Sequence, residues 1–255
     1  MKNVSKILII FLSFISISNS VTIKNIKILE SAENIRYFPQ EIVINYLLHY
    51  KYTNKIDIGS KFSTLLNKLD NNLKIIALST NDKDTKGVLE FLAYSRDQID
   101  EIIKGKLSKD NVLLMLDYGE TFIEGSNFIT EKYKYKLSKE EEMLVLIKKI
   151  GFYINRATKY YIADNIGFNT ETNIKNMNVA LKNMNKNMKI INDYPYPYDL
   201  EIEVSKINMA LSKIKPFLES SKDNNRAFIP MLVLISIEYI DEIFDVLSLY
   251  HIQNQ

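Results

Sequence analysis

Phe62-Ser63-Thr64-Leu65-Leu66-Asn67-Lys68-Leu69-Asp70-Asn71-Asn72-Leu73-Lys74-Ile75-Ile76 carries the pattern that decides the fold. Its apolar residues Phe62, Leu65, Leu66, Leu69, Leu73 and Ile76 fall three and four apart, while lysines, asparagines and Asp70 take the remaining positions. That spacing puts one apolar stripe on one side of a helix and leaves the other side to water. The same period returns at Met177, Leu181, Met184, Met188 and Ile191, at Leu92, Ile99, Ile102 and Ile103, and at Val204, Ile207, Leu211, Ile214 and Leu218. Seven glycines and five prolines in 255 residues supply too few turn devices for a many-stranded sandwich or barrel. The chain is expected to be all-α.

Start and stop signals divide it. Ser138 with Glu141 fits a capping box, in which each side chain satisfies a free backbone donor. Ser108 before Lys109-Asp110, and Ser221 before Lys222-Asp223, place a cap and an acid at a positive helix end. Prolines make Asp193-Tyr194-Pro195-Tyr196-Pro197-Tyr198-Asp199 a loop, and Asn81-Asp82-Lys83-Asp84 is a polar loop in the earlier half. The two loops correspond. Asn187-Met188-Lys189-Ile190-Ile191 follows Asn72-Leu73-Lys74-Ile75-Ile76 by 115 residues, and at that offset Tyr46 meets Tyr161, Phe62 meets Met177, Leu92 meets Ile207 and Ile99 meets Ile214. Ser108-Lys109-Asp110-Asn111 answers Ser221-Lys222-Asp223-Asn224 after the offset slips to 113. A sequence repeated in this way predicts two tandem up-down four-helix bundles related by internal duplication. Their helices are expected at 33–52, 57–79, 85–105 and 109–134, then at 139–166, 171–192, 199–219 and 223–252.

Residues 1–20 read as an export signal. Lys2 and Lys6 precede the apolar run Ile7 to Ile17, and Ser18 and Ser20 offer a small-x-small cleavage site before Val21. The domain plan is then a signal peptide at 1–20, a first bundle at 21–136 and a second at 137–255, with a periplasmic or secreted mature chain. Removing the signal takes two lysines and no acid from 33 basic and 31 acidic residues, so the mature chain is formally neutral. A neutral surface argues against nucleic acid or an anionic membrane as partner. The segment Met231 to Leu249 is apolar, but Glu238, Asp241, Glu242 and Asp245 interrupt it. It reads as a buried terminal helix, and no span is expected in the mature chain.

The catalytic inventory is thin. There is no cysteine, no glycine-rich phosphate loop and no serine elbow, and the two histidines are far apart. His49 is expected to be partly buried and hydrogen-bonded, and His251, near the C-terminus, to be solvated. Glu120 and Glu124 share a helix face with Asp117 nearby, but the Glu-x-x-His pairs of a bundle di-metal site are missing. Neither enzyme chemistry, a metal nor a cofactor is expected. Gly119 and Gly125 inside a helical segment suggest close helix packing. Arginine is scarce: Arg36, Arg96, Arg156 and Arg226 stand among many lysines, and Arg36 and Arg156 both fall near the first helix of their repeat.

That first-helix segment resembles the N-terminal sensor domain of type IV pilus methyl-accepting chemotaxis transducers, which is related to the periplasmic domain of nitrate/nitrite sensor kinases. The family helix reads A-G-x-Q-R-M-L-S-Q-R-x-A-K-x-Y. Ala32, Arg36, Phe38, Gln40, Ile42 and Tyr46 fall on its positions in the first repeat, and Asn155, Arg156, Lys159 and Tyr161 in the second. Glu33 replaces the family glycine, Pro39 its small residue, and Gly151 the second repeat's arginine. The resemblance implies a free-standing sensor-like module that binds a small ligand, an anion or another small molecule, or docks on a membrane receptor. It makes Arg36, Gln40, Asn155, Arg156 and Lys159 the candidate ligand-binding residues. The alternative is a structural or protein-interaction helical protein of the cell envelope that takes no small ligand.

Overall fold

Eight helices in the order of the sequence make up the computed structural model, which describes residues 2–53, 59–219 and 228–255, with side chains from Lys24 onward. They are α1 (Lys2–Lys51), α2 (Gly59–Ser79), α3 (Lys83–Lys104), α4 (Lys109–Tyr133), α5 (Lys139–Asn165), α6 (Glu171–Asp193), α7 (Tyr198–Leu218) and α8 (Pro230–Gln253). Among the described residues there is no strand, so the all-α expectation holds. The export signal expected at 1–20 and the cap expected at Ser221 lie outside the residues whose side chains are described.

Local chemistry sets most boundaries. The Ser138 hydroxyl accepts from the Glu141 N–H while the Glu141 carboxylate accepts from the Ser138 N–H, completing the capping box of α5. Ser108, Asp82 and Thr170 cap α4, α3 and α6 in the same manner. Gly167 follows α5 at φ 99°, a left-handed turn that a side chain would strain. Two expected starts are corrected. α1 does not begin at 33: Ile28, Leu29 and Ala32 are already buried on its inner side, and the helix runs on through Pro39 without a break. Pro39 deprives the Ile35 carbonyl of its usual donor, a cost of about 3 kcal/mol in a helix interior. Fully buried Ile35 and Ile42 flank it and hold the helix in place by packing. α8 begins at Pro230 rather than 223, with Phe228 and Ile229 outside the helix.

α1 and α5 are the organising pair. α1 packs on α2 and α4, α5 packs on α6 and α8, and α1 and α5 pack on each other; α3 joins α2 to α4, and α7 joins α6 to α8. The buried apolar side chains form one continuous cluster that runs through both halves along this seam. Small residues let the helices approach. Ser126 donates 2.7 Å to the Ala32 carbonyl across the α4–α1 contact. A Cβ on Gly119 would lie 3.3 Å from Val43, and one on Gly125 only 2.8 Å from the Leu92 methyls, so both glycines serve close packing as expected.

α8 is not buried all round. Val233, Ile237, Ile240, Phe244 and Leu247 face the core, but Met231, Leu232, Ile235, Tyr239, Val246 and Leu249 are exposed.

Gly125→Ala tests this packing. Overpacking against Leu92 costs about 1–3 kcal/mol and outweighs the roughly 1 kcal/mol of helix propensity that alanine adds. Urea unfolding should show a net loss, recovered in Gly125→Ala/Leu92→Ala relative to Leu92→Ala alone.

Candidate functional site

All five residues singled out in the sequence lie on α1 or α5, around the seam where α4 crosses both. Arg36 is buried at 5 % exposure. Its guanidinium donates 3.0 Å to Glu33 and 2.7 Å to Asn127 on α4, and lies 5.3 Å from the centre of the Phe152 ring. Gln40 donates 2.8 Å to the Gly119 carbonyl, and Asn155 donates 3.3 Å to the Gly151 carbonyl one turn back on its own helix. Arg156 and Lys159 converge on one carboxylate, Glu120 of α4, at 2.5 and 2.7 Å. Tyr160 donates to the same group at 2.6 Å and accepts from Asn176 of α6.

The structure therefore gathers the predicted residues, but it gives their positive charges internal partners. Sequence reasoning had considered Glu120 only as a weak metal ligand and had passed over Asn127. Among the described residues no three metal-binding groups converge, and no helix is long and apolar enough to cross a membrane. Burial alone would raise the Glu120 carboxyl, but Lys159 and Arg156 overcome it and hold the group at about 2. Lys159 has no solvent exposure, and burial, only partly offset by Glu120, brings its ammonium down to about 8. Both partners are therefore charged at neutral pH. Glu33, almost wholly buried, is raised by that burial against the pull of Arg36.

On the opposite side of the α1–α5 contact lies a cleft of about 600 Å³, walled by α1, α5 and α8 with Lys68 of α2 at its margin. Gly151 forms part of its floor, with Tyr37 and Phe244 on its apolar sides. Tyr37 donates 2.7 Å to Asp241 of α8. Burial raises the Asp241 carboxyl to about 7; Glu41, Asp245 and Glu238 push it the same way, and the Tyr37 hydrogen bond opposes them. None of these residues is among the candidates read from the sequence, where Gly151 enters only as the replacement for the second repeat's arginine. The signal was the 115-residue offset, which pairs Arg36 with Gly151 and Tyr37 with Phe152.

A third polar cluster fastens the chain's end. His251 is fully buried, not solvated as expected: Nδ1 donates 2.5 Å to Glu140 at the start of α5, and Nε2 shares a 2.7 Å hydrogen bond with the Tyr196 hydroxyl of the α6–α7 loop. Tyr194 also donates to Glu140. Burial would raise Glu140, but His251 and Tyr194 outweigh it and keep its carboxyl below the ordinary value. His49 is half-buried, and its Nδ1 meets no hydrogen-bond partner among the described residues.

Comparison with protein-family models, with curated proteins and with solved structures returns no match. The functional reading therefore rests on the residues themselves.

Two pH effects of opposite sign follow. Glu120 is depressed in the folded state, so its stabilisation is present above the unfolded value of 4.5 and is lost as pH falls toward about 2. Glu120→Gln should cost about 3–5 kcal/mol at pH 7 by leaving buried cations unmet, with a smaller gap from wild type below pH 3 in thermal melts. Asp241 is raised in the folded state, so its contribution is full below 3.8 and is lost as pH rises through about 7. Asp241→Asn, which keeps an acceptor for Tyr37, should raise Tm at pH 8 and leave it nearly unchanged at pH 4.

Proposed function

We propose that the chain is a non-enzymatic, sensor-like helical module, built from two duplicated four-helix units, that binds a small ligand in the cleft between α1, α5 and α8. Duplication is supported by what lies at the 115-residue offset: Tyr46 and Tyr161, Leu47 and Ile162, Phe62 and Met177, Leu69 and Met184, Leu92 and Ile207, and Ile99 and Ile214 are buried in both halves. Corresponding helices also choose corresponding neighbours, α1 with α2 and α4 as α5 with α6 and α8. On this reading the first unit covers 21–136 and the second 137–255, export is directed by 1–20, and the likeness to the chemotaxis-transducer sensor domain is one of fold and helix-interface binding.

The observation that carries the ligand-binding reading is the cleft itself. Its volume of about 600 Å³ falls within the range of small-molecule sites, about 300–1,000 Å³. It lies against the α1–α5 contact, where a bound molecule would touch both units at once. Such a position suits a module that reports occupancy by shifting two helices against each other. Arg36, Arg156 and Lys159 serve this reading as supports: they fix α4 against α1 and α5 and so set the far side of the seam.

A second reading has its own observation. Met209 of α7, with Met231, Leu232, Ile235 and Tyr239 of α8, leaves an exposed apolar face suited to a protein partner. A photo-crosslinking residue at Ile235 in the native host should give a discrete adduct if that face docks. A control at Leu78, exposed on α2, should give none.

The ligand-binding reading is tested by thermal shift against a panel of small solutes: nitrate, nitrite, carboxylates, amines and neutral polyols. A ligand at a hundredfold excess over its Kd stabilises by about 2.7 kcal/mol, which is roughly 5–10 °C for a chain of this size. At least one solute should produce such a shift, and Ser248→Trp, which puts an indole into the cleft, should abolish it. If no solute shifts the wild type, or the shift survives in Ser248→Trp, the cleft is not the binding site.

A further inference from the structure

We infer that the cleft takes a cationic ligand with a guanidinium or primary amine head, seated over the Tyr37 ring and against Asp241. The inference rests on the ligand-binding reading above and names the ligand's class. It comes from comparing the two sides of the α1–α5 contact.

On the α4 side, the protein supplies its own cation. The Arg36 guanidinium from α1 lies over the Phe152 ring of α5 and donates to Asn127 of α4. Moving each residue by the repeat offset leads to the α8 side. Arg36 becomes Gly151 and Phe152 becomes Tyr37; in α8 the buried positions Val233, Ile237, Ile240 and Ile243 follow Gly119, Ile123, Ser126 and Ile129 of α4 by 114 residues, and at that offset Asn127 becomes Asp241. These three counterparts all line the cleft. They also keep the relative placement: a Cβ on Gly151 would lie 3.3 Å from the Tyr37 ring and 3.7 Å from the Asp241 carboxylate. An aromatic face and an oxygen acceptor are thus retained, the acceptor has gained a negative charge, and the side chain that brought the cation is reduced to a hydrogen.

Charge points the same way. Beside Asp241 the cleft is lined by Glu41 of α1 and by Glu238, Glu242 and Asp245 of α8, against two cations, Lys68 and Lys148. Lys148 is the counterpart of Glu33; its ammonium lies 3.4 Å from Asn34, at the α1 side of the opening. Lys68 lies 5.5 Å from the centre of the Phe38 ring, so a cation already rests on an aromatic face in this wall. Lys61 of α2, outside the cleft lining, lies 3.5 Å from Glu41 and 3.8 Å from Glu238, yet burial raises Glu41 against Lys61 and Lys68. Asp241 is raised by burial and by Glu41, Asp245 and Glu238 together, so it is less well compensated than Glu120 is across the seam. A ring face with a carboxylate beside it binds guanidinium and ammonium groups through cation–π attraction and charge-assisted hydrogen bonds. Inorganic anions and carboxylates meet repulsion in the same place.

The experiment is calorimetric titration of the full chain with agmatine, which carries a guanidinium at one end and a primary amine at the other, at pH 8 where Asp241 is ionised. The wild type should bind it, and Asp241→Asn should weaken it at least tenfold. Gly151→Arg, which returns the arginine of the first unit to the second, should melt higher than wild type and take up no agmatine. If Gly151→Arg does not fold, the Asp241→Asn titration decides alone. Undiminished binding by Asp241→Asn overturns the assignment. If agmatine fails to bind while an anion or neutral solute gives a shift that Ser248→Trp removes, the ligand class is wrong and the cleft remains a binding site. If nothing binds there, both readings fall together.

Discussion

Lys159 has no contact with water, and its ammonium remains an ion because Glu120 stands 2.7 Å away. Most of the architecture around the seam answers to that pair. Glu120 belongs to α4 and Lys159 to α5, so the pair ties the last helix of the first half to the first helix of the second. It forms where α4 lies close against α1 and the long side chains of α5 reach across to it, and Gly119, the neighbour of Glu120, leaves room for this: a Cβ there would lie 3.3 Å from both Val43 and the Lys159 ammonium. Arg156 and Tyr160 complete the shell around the carboxylate, and Asn176 extends it to α6. A half-buried carboxylate that three donors share, one of them a fully buried ammonium, is stabilising once made and costly to leave half-made. It therefore fixes one register between helices whose apolar stripes alone would tolerate several.

The two sides of the α1–α5 contact solve one packing problem differently. Towards α4, the gap between helices is filled by Arg36, which brings Glu33 and Asn127 with it. Towards α8, Gly151 fills nothing, and the gap persists as a cleft with Tyr37 and Asp241 in its wall. Like charges gathered there raise Asp241, whereas the opposite charges across the seam depress Glu120. The protein thus holds one electrostatically settled face and one unsettled face on the same pair of helices.

Much of the fold could be read from the chain because its signals are local. Caps at Ser108 and Ser138 and the prolines of the Tyr194–Pro197 loop set helix ends within a residue or two. Apolar spacing found the buried stripes of α2, α3, α6 and α7. The start of α1 was missed because the apolar spacing was followed only from 33 onward, although Ile28, Leu29 and Ala32 already lie on its buried side. His251 was misread because proximity to the terminus suggested exposure, while its real environment comes from Glu140, 111 residues earlier in the chain. The candidate site shows the same limit. Arg36, Arg156 and Lys159 could be found as types at a spacing. That Glu120 would neutralise two of them depended on which face α4 presents, a matter of helix crossing and not of sequence neighbourhood. The cleft is harder still, since its floor is a glycine, and a missing side chain leaves no positive mark in a pattern.

The short connection between α4 and α5, residues 134–138, therefore has little to hold together. The surfaces on either side of it are already joined by the α1–α5 packing and by the Glu120 ion pair. Two polypeptides divided at that point would carry complementary halves of a single apolar seam and opposite members of a buried charge cluster. Covalent continuity at this connection raises the local concentration of one surface at the other, while the helix interface supplies the recognition.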